Sequence, residues 1–304
     1  MTNPTTVPDT GAPDPAAAPM AAAAVTPSAR RKITQHPLPV TTSFIWMALL
    51  LILILIEPLL PLPDPTRTDY RAIAVPPGHP DHILGTDEIG RDILARLIVG
   101  ARVSLIVGVA AVAVATFVGS VLGMIAGYFG GIVNRIISGL VDILLAFPAL
   151  VALIALGVFM GPGLVTIIIG IGLILSPAVA RVARSATMMY AKRDFVTAAR
   201  GMGMGHLRIL LREVLPNVVV PVLSYAMVLV AVAIVAEASL SFLGLGVPPP
   251  ASSWGSMMGS GRSELNDSPH IVLLPAAVMF VTLLSLNFLA EHFGKRFDIK
   301  EAAL

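Results

Sequence analysis

Residues able to do chemistry are sparse in this chain, and their placement argues against catalysis. Glu237 is the last charge reached by a long apolar run. An acid in or near a bilayer is costly unless it faces a bundle interior or water. Glu237, with Ser239 close by, could line a pathway or hold a gate; it could equally be an interfacial acid paired with a neighbouring donor. His79 and His82 sit in a Pro- and Gly-rich stretch with no third ligand, so no metal is expected there. The chain has no Cys, which excludes disulfides and thiolate chemistry. No nucleophile–base pair stands out, and the phosphate-loop signature Gly-x-x-x-x-Gly-Lys-Ser/Thr is absent, so the chain is not expected to be an enzyme or to hydrolyse ATP itself. The sharpest signal is a basic, helix-forming stretch between two apolar runs, Asp194 to Asn217, whose composition suits docking rather than bond chemistry.

The elements that would carry these residues are membrane helices. Hydrophobic residues make up 56% of the 304 residues and charged ones 12%, with a mean hydropathy of +0.87; a soluble domain carries about 25% charge. A bilayer core of about 30 Å needs about 20 apolar residues in a helix. On that length the spans fall at residues 41–60, between Arg102 and Arg135, twice between Asp142 and Arg181, at about 214–236 and at about 271–290. Gly161-Pro162-Gly163 divides the third span from the fourth, because proline cannot continue a helix. The expected fold is therefore an all-α, polytopic bundle of about six spans. The net charge is only +2, so no nucleic-acid partner is implied.

The remaining segments divide the chain. Residues 1–40, rich in Pro, Ala and Thr, are expected to be a disordered tail, because such a segment buries too little apolar surface to offset ordering entropy. Residues 61–100 form a loop with a short amphipathic helix, 101–293 the five-span core, and 294–304 a C-terminal tail. The densest basic segment holds Arg181, Arg184, Lys192, Arg193, Arg200, Arg208 and Arg212. Basic residues favour the cytoplasmic side, which places this loop and both termini inside, in membrane lipid of a cytoplasmic membrane.

Within the inner loop, about 187–216, a helix through Thr197–Arg200 should stop at glycines able to take positive φ, a second helix should run from Leu207 to Leu215, and Pro216 should break the backbone before the fifth span. Thr197-Ala198-Ala199, three residues, then Gly203, with Val214-Leu215-Pro216-Asn217 at the end, resembles the EAA loop of permeases of binding-protein-dependent ABC importers; Thr197 stands where that family usually has an acid. His82-Ile-Leu-Gly-Thr-Asp87-Glu-Ile-Gly-Arg91-Asp92 with Arg96, and Glu237-Ala-Ser-Leu-Ser-Phe-Leu-Gly-Leu-Gly with Trp254, resemble the second permease of dipeptide and oligopeptide transporters. In the first of these segments Thr86 or Asp87 could cap a short helix bearing an Asp92–Arg96 pair, as a scaffold for a binding protein or as an interfacial helix. Trp254 is expected to anchor at the membrane interface. Ala111, Ala115, Gly119, Gly123 and Gly127 recur every fourth residue, a small-residue stripe for close packing against a helix of this chain or of a partner. Asp142 reads as a charge at the membrane lip and Pro148 as a kink.

The resemblance covers about residues 40–290 and implies a type I importer permease in a bacterial cytoplasmic membrane. Its implied partners are a second homologous permease, two ATPase subunits that bind ATP and Mg, and an extracytoplasmic substrate-binding protein; the chain itself would hold no cofactor. It implies that the inner loop is a coupling helix on the ATPase, with Asp194, Ala198, Ala199, Arg200 and Gly203 as contact residues. Peptides are the first expected substrate, with nickel chelates, glutathione or another small solute as alternatives. A self-contained carrier or channel would place ionisable residues mid-membrane, and the centres of these spans have none.

Overall fold

The computed structural model describes residues 37–301, with side chains described over 38–294. Most of the expected disordered tail, up to residue 36, lies outside the described residues. Helix α1 (Pro37–Ile56) starts before the apolar run, and within it Thr42 and Ser43 turn their hydroxyls back onto the carbonyls of Leu38 and Pro39. Most of α1 faces outward; Trp46 Nε1 reaches Thr282 Oγ1 at 3.0 Å on the last helix.

Helix α2 (Ile93–Phe129) is 37 residues long, so the expected loop helix and the second span are one element. Its start is set by Asp92, whose carboxylate accepts the Ala95 N–H at 2.8 Å, a capping bond for an otherwise orphaned donor. At about 1.5 Å per residue, α2 far exceeds the bilayer core, and its first two turns carry charge. Arg102 Nη2 donates to Glu57 Oε2 at 2.7 Å and to the Ile54 carbonyl at 3.1 Å, tying α2 to the end of α1.

The kink expected at Pro148 in the third span is present and sharp. Helices α3 (Gly131–Ala146) and α4 (Ala149–Met160) meet at Phe147-Pro148 with an 89° bend. The 12 residues of α4 reach only about 18 Å, too short to cross alone. Helix α3 is held against α5 (Leu164–Tyr190) by polar ties: Arg181 Nη2 to Asp142 Oδ1 at 2.7 Å, and Arg184 Nε to Asn134 Oδ1. The Gly161-Pro162-Gly163 break separates α4 from α5 as expected.

After α6 (Asp194–Gly201) and α7 (His206–Ile209), a π-helical turn over Leu210–Val214 runs into α8 (Leu215–Phe242). Pro216 therefore does not break the chain. It occupies the first turn of α8, where a missing N–H costs least, and the wider turn before it makes room for the ring. Asn217 Nδ2 adds a side-chain bond to the Glu213 carbonyl at 2.7 Å in the same turn. Helices α9 (Trp254–Ser260) and α10 (His270–Glu301) complete the order, and α10 continues through the expected C-terminal tail boundary at 294. Among the described residues, five helices are long and apolar enough to cross a membrane, or six if the bent α3–α4 pair counts as one span.

The centre of the bundle is α2 against α5, and the small-residue stripe is its seam. Ala111 and Ala115 are fully buried. A Cβ on Gly119 would lie 2.7 Å from Val179 Cβ, and one on Gly123 or Gly127 would lie 2.8 Å from Ala183 Cβ or Thr187 Cβ. From the other side, a Cβ on Gly172 would lie 2.7 Å from Val114 Cβ. The stripe is thus spent on a helix of the same chain. Close backbone approach of this kind supplies the dispersion contact that holds helices together where lipid removes the hydrophobic drive.

Candidate functional site

Two regions at opposite ends of the bundle carry the polar residues singled out from the sequence. At one end lies the loop 187–216. Helix α6 has Asp194 in its first turn and Arg200 in its last, which complements the helix dipole. It ends in a Schellman motif: Met204 N–H donates to Ala199 O at 3.1 Å and Gly203 N–H to Arg200 O at 3.0 Å. Gly203 sits at φ +76°, the left-handed position that the motif requires. Val196 and Ala199 (3% exposed) point into the core, whereas Asp194, Thr197, Ala198, Arg200 and Gly203 are exposed. One helix therefore has two jobs by face. Ala199 packs the loop onto the bundle, and Ala198 and its exposed neighbours remain available.

The loop is wired to two long helices. His206 Nδ1 lies 3.0 Å from the Tyr128 hydroxyl at the end of α2, and the Arg200 guanidinium carbon stands 5.1 Å above the centre of the Tyr128 ring. Phe129 stacks edge-on against Tyr128 at 5.2 Å. Through α7 and the π turn, the same loop continues into α8 without a flexible joint. Sequence reading missed this cluster, because Tyr128 and His206 are 78 positions apart and each alone reads as an ordinary aromatic residue.

At the other end, Glu237 on α8 has no exposed surface. Its Oε2 accepts from Ser104 Oγ on α2 at 3.1 Å, and its Oε1 accepts from Ser241 Oγ at 2.6 Å. Ser104 Oγ in turn accepts the Trp254 backbone N–H at 3.3 Å, and Trp254 Nε1 donates to the Leu97 carbonyl at 3.1 Å. Trp254 is fully buried, which corrects its expected place as an interface anchor: its indole N–H finds a carbonyl inside the bundle and has no need of the headgroup layer. The acid is thus a three-way joint among α2, α8 and α9, made by neutral donors. Ser239 does not join it; its hydroxyl bonds back to the Val235 carbonyl at 2.8 Å on an exposed face.

The loop before α2 folds over this end. Thr86 accepts the Val75 N–H and donates to the Ala72 carbonyl. Asp87 takes the Ile89 and Arg91 backbone N–H groups and the Arg91 Nε, the last at 2.6 Å. The expected Asp92–Arg96 pair does not form. Asp92 caps α2 and meets His82 Nδ1 at 2.9 Å, so Arg96 instead faces Asp87, with Nε to Oδ2 at 3.4 Å. Among the described residues no group of three or more His, Cys, Asp or Glu could hold a metal ion. Two large cavities adjoin the two ends. An apolar groove of about 1190 Å³ lies beside α2 and α8 and reaches His206 and Leu207. One of about 540 Å³ with three arginines in an otherwise largely apolar wall lies beneath the α8–α9 connection.

Residues 119–299 match the family described as the binding-protein-dependent transport system inner membrane component. The chain belongs to this family. It is therefore a permease subunit of an ABC importer and not an enzyme; ATP hydrolysis belongs to partner subunits. The permease is 35% identical over 84% of its length to the di/tripeptide transport system permease protein DppC of Pseudomonas aeruginosa, covering 86% of that protein. It is 34% identical over 89% of its length to the glutathione transport system permease protein GsiD of Pectobacterium atrosepticum, covering 89% of that protein, and 37% identical over 72% of each chain to GsiD of Escherichia coli. Its fold is that of solved importers. It matches an amino acid ABC transporter at a TM-score of 0.52 and 19% identity, over 67% of this chain and 94% of that one. It also matches the inward-facing MetNI methionine ABC transporter at 0.50 and 18%, over 66% and 95%.

Proposed function

We propose that this permease forms half of an ATP-driven import pathway for small peptides. Its relatives in di/tripeptide and glutathione transport support a short-peptide cargo, glutathione being itself a tripeptide. A sister permease supplies the other half, two ATPase subunits bind ATP and Mg, and an extracytoplasmic binding protein delivers the solute. The loop 187–216 and both termini lie in the cytoplasm, as the concentration of Arg and Lys there supports.

The observation that carries the coupling role is the division of α6 into a buried face, Val196 and Ala199, and an exposed face, Asp194, Thr197, Ala198 and Arg200. An exposed helix locked at its C-terminus by Gly203, and wired to α2 and α8, can receive a push from an ATPase groove and pass it on. ATP then shifts the bundle between outward- and inward-open states by binding them with different affinity. The joint at Glu237, at the far ends of α2 and α8, is where those two helices are held together during the shift.

The test is reconstitution of the permease with its sister, ATPases and binding protein. Uptake of labelled trialanine that needs internal ATP supports the reading. Uptake of glutathione with trialanine excluded would keep the importer and replace the cargo. Solute movement by the permease alone, without ATP, would make it a self-contained carrier.

A further inference from the structure

The arginine-bearing cavity of about 540 Å³ lies at the end of the bundle opposite α6, walled by the start of α2, the α4–α5 turn, the end of α8 and the α9 region. Its charged lining is Arg91, Arg96 and Arg262, and no Asp or Glu lines it. Asp87 and Glu88 stand behind it and engage Arg91, at 2.6 and 3.1 Å. Arg96 is different. It is only 4% exposed, yet its Nε has no hydrogen-bond partner; Asp87 Oδ2 is 3.4 Å away and misaligned, and Nη1 makes one long bond, 3.4 Å, to the Pro65 carbonyl. Arg262 is exposed and makes no ion pair among the described residues. The remaining wall is largely apolar, with Phe242, Pro248 and Pro249.

With Nε turned to Asp87 and one long bond from Nη1, the Arg96 guanidinium has hydrogen-bonding capacity left for an anion in the cavity. We infer that this cavity is a binding site for the carboxylate of an incoming small solute, held by Arg96 from within and Arg262 from the rim. A planar guanidinium matches a carboxylate with two parallel bonds, and the volume lies within the range of small-molecule sites. Ser241 both lines the cavity and donates to Glu237, so the occupant sits one side chain away from the joint between α2 and α8. The inference rests on the import reading for its direction, since it makes this the face on which solute arrives.

The chain has no Cys, so Ala251→Cys places a single thiol on the cavity wall. In the purified full chain, its modification by an anionic and by a cationic methanethiosulfonate reagent is compared with a free thiol. The anionic reagent should be favoured about tenfold, and Arg262→Gln, at an exposed position that folding does not need, should cut that preference severalfold. Arg96→Gln should cut it further in any preparation that still melts cooperatively. Acetate should slow modification; trialanine should protect and trialanine amide should not. Charge-blind modification, or no protection by acetate, would overturn the carboxylate site. Protection by acetate with none by trialanine would leave the site standing and remove the peptide cargo instead.

Discussion

Placing a carboxylate at two adjacent positions of α6 should give two separable failures. Ala199 is 3% exposed and packed with Val196 against the core, so Ala199→Asp buries a carboxylate among apolar side chains. That costs about 3 kcal/mol or more, and added bulk in a filled site costs about 1–3 kcal/mol besides. Ala198 is exposed, and Ala198→Asp should change stability by no more than about 0.5 kcal/mol. Thermal melting in detergent should therefore fall sharply for Ala199→Asp and stay put for Ala198→Asp. Uptake and ATPase co-purification should be lost in both, in the second case without any loss of folded permease. Equal destabilisation by the two substitutions would refute the division of faces. A stable Ala198→Asp permease that still retains its ATPase and transports normally would refute the docking role of the exposed face.

Further outcomes follow from the same geometry. Tyr128→Phe removes the hydroxyl bonded to His206 but keeps the ring under Arg200; it should cost about 1 kcal/mol and raise ATP hydrolysed per solute moved, measured in proteoliposomes. Gly123→Leu should prevent α2 from seating on α5, where even a Cβ would meet Ala183 Cβ at 2.8 Å, and should abolish recovery of monodisperse permease in size-exclusion chromatography. Glu237→Leu leaves the Ser104 and Ser241 hydroxyls without their acceptor, at about 1–3 kcal/mol for each donor left unpaired, whereas Ser239→Ala should be silent in the same melting assay. Gly203→Val forces a β-branched residue to φ +76°; with open space around it, the penalty is backbone strain of about 1–3 kcal/mol, read as faster proteolysis of the loop.

The sequence carried the parts of this fold that depend on periodicity. The stripe from Ala111 to Gly127 repeats every four residues, and that spacing alone demands a close helix neighbour, although only the structure assigns it to α5. The glycine stop at Gly203 was legible because αL caps want glycine. Faces and partners were not legible. Nothing in Thr197-Ala198-Ala199 says which alanine points inward, because α6 is too short for a full apolar stripe. Asp92 and Arg96 stand at the spacing of a helix pair, yet Asp92 is taken by the cap and by His82, a competition visible only once the loop folds back. The kink at Phe147-Pro148 is legible from the proline, but its 89° angle and the Asp142–Arg181 and Asn134–Arg184 ties beside it are long-range features with no local signal. The clasp of Glu237 by Ser104 spans 133 positions and left no local signal.

The most direct measurement is uptake of labelled trialanine by proteoliposomes holding the assembled transporter, with ATP and binding protein each supplied or withheld. Import should require both, and the Ala198→Asp variant should transport nothing while remaining folded. Uptake that persists without ATP, or that the permease supports on its own, would contradict the coupling of this bundle to an ATPase.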